Sequence, residues 1–294
     1  MPDTASSGVA ESGPPATLSQ FVRRGFERKL QDSATLVRLA AREAGIPAIW
    51  RFLAQDPTAA GCYRLELRNG LRVEAPTDIR LLRQVREVWF RDCYRVLSLS
   101  GAATIIDVGA NIGMFSLHAG THFPGARVIA LEPSVRAYAF LCRNLEQNGR
   151  KVRTLNCAAG AASGEADLYW RGSEVLNTLF SRDPLGGRPV AYARTAVVSL
   201  DELFRAENIE TCDLLKLDCE GAEYDVVFHA SSETLARIRR VAMEYHIGFN
   251  EHSPEQMQAF LETHDFEVKT LAARDDGTGY IYARNRTNEG MHGC

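Results

Sequence analysis

A chain of 294 residues can hold one large α/β domain with appendages, or two small domains. Apolar residues make up 45% and charged residues 24%, an ordinary globular balance, and the formal charge of −3 gives no bulk attraction to nucleic acid or an anionic membrane. No stretch approaches the ~18 consecutive apolar residues of a membrane-spanning helix.

Residues 1–17 are rich in Ser, Gly, Pro and Ala, with neither a basic start nor an apolar core. They read as a disordered leader and not as a secretory signal. Arg23, Arg24, Arg28 and Lys29 surround Glu27, as on a solvated helix face. From Leu18 to about Leu53 apolar residues recur at helical three- and four-residue steps. Tyr63, Leu65 and Leu67 then alternate with polar residues, Asn69-Gly70 turns, and Leu71 and Val73 alternate again, which predicts a β-hairpin. A helical stretch follows from about Asp78 to Ser98. Residues 18–100 form a helical and β-hairpin extension, too thin in apolar content for a core of its own. It is suited to covering a crevice or to a homodimer contact. The seven cysteines are scattered, odd in number and free of CxxC spacing, which favours a reducing cytoplasm over a disulfide framework or a structural zinc.

After Gly101 short apolar runs alternate with amphipathic helices. The strand-like runs are Thr104–Val108, Val128–Leu131, Val152–Asn156, Leu214–Leu217 and Val241–Tyr245. Their short, largely apolar runs suit strands covered on both faces. Ser134 starts a helix that runs through Leu145 and stops near Asn148-Gly149, and Ser253-Pro254-Glu255-Gln256 carries a capping box. Phe266–Leu271 and Tyr280–Ala283 have no helix between them and predict an antiparallel hairpin at the sheet edge. Trp170 to Arg194 is polar and lacks regular pattern, in the manner of a binding loop. The pattern as a whole predicts an α/β Rossmann-like sheet over 101–286, mostly parallel with a C-terminal antiparallel hairpin, and a flexible tail at 287–294.

The first strand of that sheet ends in Asp107, with Gly109, Ala110, Asn111 and Gly113 after it. Small residues at such a turn let a ligand approach the backbone. The glycines are spaced GxxxG where a dinucleotide site needs GxGxxG, and a carboxylate before them repels pyrophosphate. It attracts an ammonium or sulfonium, and S-adenosylmethionine carries both. Glu132, followed by Pro133, ends the second strand 25 residues later, where a carboxylate accepts hydrogen bonds from ribose hydroxyls. Ala158, in the small-residue run after the third strand, allows an adenine to lie against the backbone, or else serves close helix packing.

A second cluster lies further on. Lys216 and Asp218 are two apart and share a strand face, with Glu220 and Gly221 beyond; Glu244 and His246 share a face at the end of the next strand. In open sheets ligands bind outside the carboxyl ends of the strands. Transfer from a cationic donor to an acceptor needs alignment and a base, and His246 or Asp218 suits that part, with Glu220 and Glu244 orienting the acceptor. Asp218 also reads as an acid bridging lysine or cofactor, and Glu223 as a helix-start charge. Asp218, Glu220, Glu244 and His246 are in addition an oxygen-rich donor set of the kind that holds a divalent metal.

The segments Ile106–Ser116, Val128–Ser134, Asn156–Tyr169, Val198–Leu203, Leu215–Glu223 (LKLDCEGAE) and Met243–His246 resemble the FkbM-type methyltransferases over about residues 103–250. The KxDxEGxE run is the most specific of them. The resemblance implies a Rossmann-like methyltransferase fold, S-adenosylmethionine as donor, and a hydroxyl acceptor on a sugar, glycolipid or secondary metabolite. The competing readings are an NAD-dependent Rossmann oxidoreductase or epimerase, which the GxxxG spacing disfavours, and a non-catalytic ligand-binding module of the same fold. A nucleic-acid substrate finds no basic groove.

Overall fold

The computed structural model describes residues 31–39, 41, 45–54, 61–171, 177–181, 190–274 and 277–287. The expected leader (1–17), the helical start from Leu18 to residue 30 and the expected tail from 288 onward lie outside the described residues.

Seven strands form the central sheet, in the order β11-β12-β10-β9-β3-β4-β5. These are β3 (Thr104–Val108), β4 (Arg127–Leu131), β5 (Val152–Leu155), β9 (Leu214–Leu217), β10 (Arg240–His246), β11 (Phe266–Leu271) and β12 (Thr278–Asn285). The strands β10, β9, β3, β4 and β5 run parallel, while β12 is antiparallel to both β10 and β11. The fold is thus the mostly parallel α/β sheet with an antiparallel C-terminal hairpin that the pattern predicts. One detail differs: β12 is wedged between β10 and β11, so only β11 reaches the edge.

The sheet separates two apolar cores, and strand periodicity decides which residue joins which. Ile105, Val128, Ala130, Leu214 and Ala242 face the first; Ile106, Val108, Ile129, Leu131, Leu215 and Met243 face the second. The helices α4 (Met114–His122) and α5 (Val135–Gln147) cover the first face, while α6 (Leu200–Ala206), α7 (Glu223–Phe228), α8 (Ser232–Ala236) and α9 (Pro254–Thr263) lie on the second side. Ser134 caps α5 by accepting from Ala137 N. Ser253 and Gln256 close both halves of the capping box of α9.

The N-terminal elements pack on the first face. Among the described residues they are helical residues 31–38 (α1), α2 (Ile46–Leu53), the antiparallel hairpin β1 (Cys62–Glu66) and β2 (Arg72–Pro76), and α3 (Leu81–Gln84), which widens into a π-helical turn over Val85–Phe90. Leu65, Val73, Val85 and Val88 share one core with Ile105, Met114 and Leu141. Asn144 of α5, fully buried, stitches the hairpin down: it accepts from Glu74 N (2.7 Å) and donates to the carbonyls of Glu74 and Ile112 (2.8 Å each). The sequence expects one helix from 78 to 98; the structure breaks it at Asp92 and Arg95, both at positive φ, before a 3₁₀ turn at Val96–Ser98.

A three-stranded side sheet corrects the reading of 170–194 as irregular. Ala158–Ala159 (β6), Gly164–Trp170 (β7) and Val190–Val198 (β8) pair in the order β6-β8-β7, so both ends of that stretch are strand. Residues 172–176 and 182–189 lie outside the described residues.

Candidate active site

A cavity of about 340 Å³ opens at the carboxyl ends of β3, β4, β9 and β10, within the range of small-molecule sites. Its floor at one end is the loop after β3. Gly109 has φ +73°, and a Cβ there would stand 1.8 Å from the carbonyl oxygen of Asp218, so only glycine lets the two loops pass. Every N–H from residue 109 to 113 is bonded within the chain. Gly109 and Ala110 donate to Leu131 O, Asn111 to Glu132 Oε2, Ile112 to the Asn111 side chain and Gly113 to Ala110 O. A dinucleotide turn offers those amides to a pyrophosphate. This one has spent them.

Glu132 lines the cavity at the end of β4 and is held by Asn111 N (2.8 Å) and Ser134 N (2.9 Å). Pro133, Cys157 and Ala158 stand beside it. Asp107 does something other than meet a cationic ligand. It is fully buried and faces the first core, where it forms an ion pair with Lys216 Nζ (3.0 Å) and accepts from Ser116 Oγ (2.7 Å). Lys216 also donates to the carbonyls of Val108 (3.0 Å) and Gly109 (2.7 Å). Burial alone would lower its pKa, but Asp107 and Asp218 outweigh burial and hold it charged. Lys216 is therefore a clamp between β9 and the loop, where the sequence suggests a place among the reacting groups.

The other end of the cavity is acidic. Asp218 accepts from Tyr94 Oη (2.7 Å), a residue of the N-terminal extension whose ring packs edge-on to Phe115 and Tyr280. The Tyr94 hydroxyl also lies 3.3 Å from Glu244 Oε2, which accepts from Tyr280 Oη (3.2 Å), while Arg274 holds the other Glu244 oxygen (3.1 Å). Burial and the neighbouring Asp218 raise the pKa of Glu244, against the pull of His246, Arg274 and Arg83. Glu220 sits at φ +53°, a strained position for a side-chain-bearing residue. Burial, chiefly, pushes its pKa up to about 8, with His246 pulling the other way and Asp218 and Glu223 adding to the rise.

His246 lies among these carboxylates. Its Nδ1 is 3.0 Å from Glu223, and its Nε2 is 3.7 Å from Glu220 and 4.0 Å from Asp218. Burial favours the neutral ring, yet Glu220, Glu223 and Asp218 outweigh it and raise the pKa well above the usual histidine value. A ring held as imidazolium donates protons and does not accept them, which differs from the expectation of a histidine poised near neutrality. The donor atoms that converge within 4.8 Å belong to Asp218, Glu223 and His246, a different set from the Asp218, Glu220, Glu244 and His246 that the sequence offers as a less favoured metal alternative. Glu223 already accepts from Cys219 N (2.7 Å), Gly221 N (2.9 Å) and His246. That is the bonding of a turn brace more than of a metal ligand.

A short strap roofs this end. Thr178 pairs with Tyr169 and donates to the Glu220 carbonyl (2.7 Å). Arg171 approaches Glu220 (3.6 Å) and stacks over Phe249 (4.6 Å), whose ring also lies against Gly221, where any Cβ would meet it at 2.5 Å. Arg171 and Thr178 fall in the 170–194 stretch expected to be a binding loop, whereas Tyr94, Phe249 and Arg274 carry no local motif in the sequence. They become site residues only through long-range packing.

Comparison with known proteins identifies the chain. The family model of the methyltransferase FkbM domain matches residues 107–268, more than half of the sequence, from Asp107 through the Glu223 and His246 loops. The chain belongs to the FkbM methyltransferase family. It is a methyltransferase. Methyltransferase sdnD of Sordaria araneosa is 27% identical over 215 residues, covering 62% of this chain and 81% of that protein. The 31-O-demethyl-FK506 methyltransferase FkbM of Streptomyces tacrolimicus is 26% identical over 210 residues, with 62% and 81% covered. A solved FkbM methyltransferase from Methylobacillus flagellatus KT aligns with TM-score 0.42 and 15% identity, covering 62% of this chain and 43% of that one. Among the described residues no helix is long and apolar enough to cross a membrane.

Proposed function

We propose that the enzyme uses S-adenosylmethionine to methylate a hydroxyl of a sugar, glycolipid or secondary metabolite. The observation that carries this reading is the division of one cavity into two unlike ends. At the first, a nucleoside fits between Gly109, Glu132 and Ala158, and the internally bonded 109–113 amides leave no cradle for the pyrophosphate of NAD. Bound there, the donor supplies an electrophilic methyl group.

At the second end the chain's own groups handle the acceptor. Asp218, lining the cavity and anchored by Tyr94, is placed to take the hydroxyl proton, and such a base contributes roughly 10²–10⁴-fold. His246 and Glu220, 3.7 Å apart and both raised in proton affinity, orient acceptor oxygens, with a proton held between the pair available for a donated hydrogen bond. The relative from Streptomyces tacrolimicus is named for 31-O-demethyl-FK506, an oxygen acceptor, which supports the same reaction class. No metal is required in this account, because Glu223 serves Cys219, Gly221 and His246. A reducing, cytoplasmic setting belongs to the proposal too, since the described cysteines are free thiols.

Calorimetry with S-adenosylhomocysteine and with NAD tests the donor. Binding of the first without the second is expected, and NAD binding with S-adenosylhomocysteine silent would overturn it. Mass spectrometry on a panel of hydroxylated small molecules tests the acceptor. Methyl transfer should survive a chelator and be lost in Asp218→Asn.

A further inference from the structure

Methyl transfer from S-adenosylmethionine removes a charge as well as a methyl group, because a sulfonium becomes a thioether. The group that meets that charge has to stand where the donor end and the acceptor end of the cavity join. Asp218 is built into that junction. Its backbone belongs to the donor end: its N–H donates to Val108 O (3.2 Å), and its carbonyl oxygen occupies the space that a Cβ on Gly109 would need. Its side chain belongs to the acceptor end, where Oδ2 accepts from Tyr94 Oη (2.7 Å) and Oδ1 stands 4.0 Å from His246 Nε2. Among the described residues no group donates a hydrogen bond to Oδ1, and the side chain lines the cavity at 28% exposure.

The neighbouring charges are matched within the chain. Lys216 pairs with Asp107 (3.0 Å), and His246 lies 3.0 Å from Glu223 and 3.7 Å from Glu220. Glu132 is held by two backbone amides, and Glu244 by Arg274, Tyr94 and Tyr280. Displacement at the methyl group sets oxygen, carbon and sulfur in line. With Asp218 in hydrogen-bond reach of the acceptor hydroxyl, as a base must be, the sulfonium comes to about 6 Å from its carboxylate, close enough for strong attraction in a partly buried site. We propose that Asp218 is the counter-ion of the sulfonium and makes the enzyme hold S-adenosylmethionine in preference to S-adenosylhomocysteine. Transfer then removes both charges together. The acceptor oxygen bonds the methyl carbon, the electron pair of the S–CH3 bond returns to sulfur, and the hydroxyl proton passes to Asp218. A carboxylate facing a sulfonium becomes a neutral acid facing a thioether, and the attraction that favoured the donor is gone when the product has to leave.

The inference rests on the donor reading and on Asp218 as base, and calorimetry without any acceptor tests it separately. The wild-type enzyme should bind S-adenosylmethionine about tenfold or more tightly than S-adenosylhomocysteine. Sinefungin, in which an amine-bearing carbon replaces the methylated sulfur, should follow S-adenosylmethionine. In Asp218→Asn the preference should vanish. Affinities of that variant for S-adenosylhomocysteine and for methylthioadenosine, which keeps the nucleoside and thioether and lacks the amino acid, should stay at the wild-type values. Asp218→Ser carries the same contrast if Asp218→Asn does not fold. Equal wild-type affinity for S-adenosylmethionine and S-adenosylhomocysteine overturns the proposal. So does an equal loss for both in Asp218→Asn, which would put the carboxylate at the amino-acid end of the ligand. Failure of the wild-type enzyme to bind any of these nucleosides instead overturns the donor reading, and methyl transfer that survives Asp218→Asn overturns the base.

Discussion

The two ends of the cavity are built on opposite principles. At the loop after β3 the backbone groups are mutually satisfied, Asp107 is neutralised by Lys216 at 3.0 Å and Glu132 is held by Asn111 N and Ser134 N. At the ends of β9 and β10, Asp218, Glu220, Glu223 and Glu244 crowd around His246, and protons are retained to keep the cluster tolerable. The contrast separates shape from chemistry. An end whose groups are tied by internal bonds recognises a ligand by shape and by the Glu132 carboxylate, and a crowded, strained end moves protons, which is why perturbed groups gather there.

The comparison is most sharply tested by removing the neutralising cation. Lys216→Met leaves Asp107 charged and fully buried, and breaking a buried pair costs about 3–5 kcal/mol. Denaturant unfolding should register a loss of that order, and adding Asp107→Asn should restore much of it. A single mutant as stable as wild type would show that Lys216 belongs with the reacting groups after all. Next in size is Gly109→Ala. Its Cβ would overlap the Asp218 carbonyl at a backbone angle that disfavours side chains, so about 3 kcal/mol of stability should go, together with S-adenosylhomocysteine binding. Glu132→Gln should act more gently. It puts an amide where Asn111 N and Ser134 N both donate, and roughly tenfold weaker binding of S-adenosylhomocysteine and methylthioadenosine alike is expected. Loss confined to S-adenosylhomocysteine would move Glu132 to the amino-acid end.

The smallest effect is a pH dependence at the acidic end. Glu220 is raised from 4.5 to about 8, so between those values the folded chain keeps a proton that the unfolded chain has released. Its stabilising contribution is therefore complete below about pH 4.5 and is lost as pH climbs through 8. His246, also raised, has the same sign: its contribution is present below 6.5 and fades as pH rises past its elevated folded value. Unfolding midpoints should thus decline from pH 5 toward pH 9, and Glu220→Gln should flatten the slope. A wild-type midpoint that rises with pH over this span would show that the cluster does not hold those protons.

Much of the frame was legible without coordinates because it follows from local rules. The run Thr104–Val108 carries Ile105, Ile106 and Val108 toward both faces, as an inner strand does; Ser134 and Ser253 announce their helices through caps that involve residues three positions away. Gly109, Glu132, Asp218, Glu244 and His246 were likewise visible, since each ends a strand and strand ends open onto the crevice. The partnerships were not. Asp107 and Lys216 are 109 residues apart and meet only because β3 and β9 pair in register, and that pairing turns an apparent ligand carboxylate into half of a buried ion pair.

The sequence by itself thus determined the succession of the central-sheet strands, the family and the residues at the strand ends, all of which depend on spacing along the chain, while the side sheet and the break after Phe90 escaped it. Tertiary structure decided what each charge does. It brought Tyr94 and Arg83 from the N-terminal elements onto the same face of the sheet as Asp218 and Glu244. It also raised the proton affinity of Glu220, chiefly by excluding water, and that of His246 by surrounding it with carboxylates against the effect of burial. The protonation of a buried group is set by its neighbours in space, and a linear sequence does not list them.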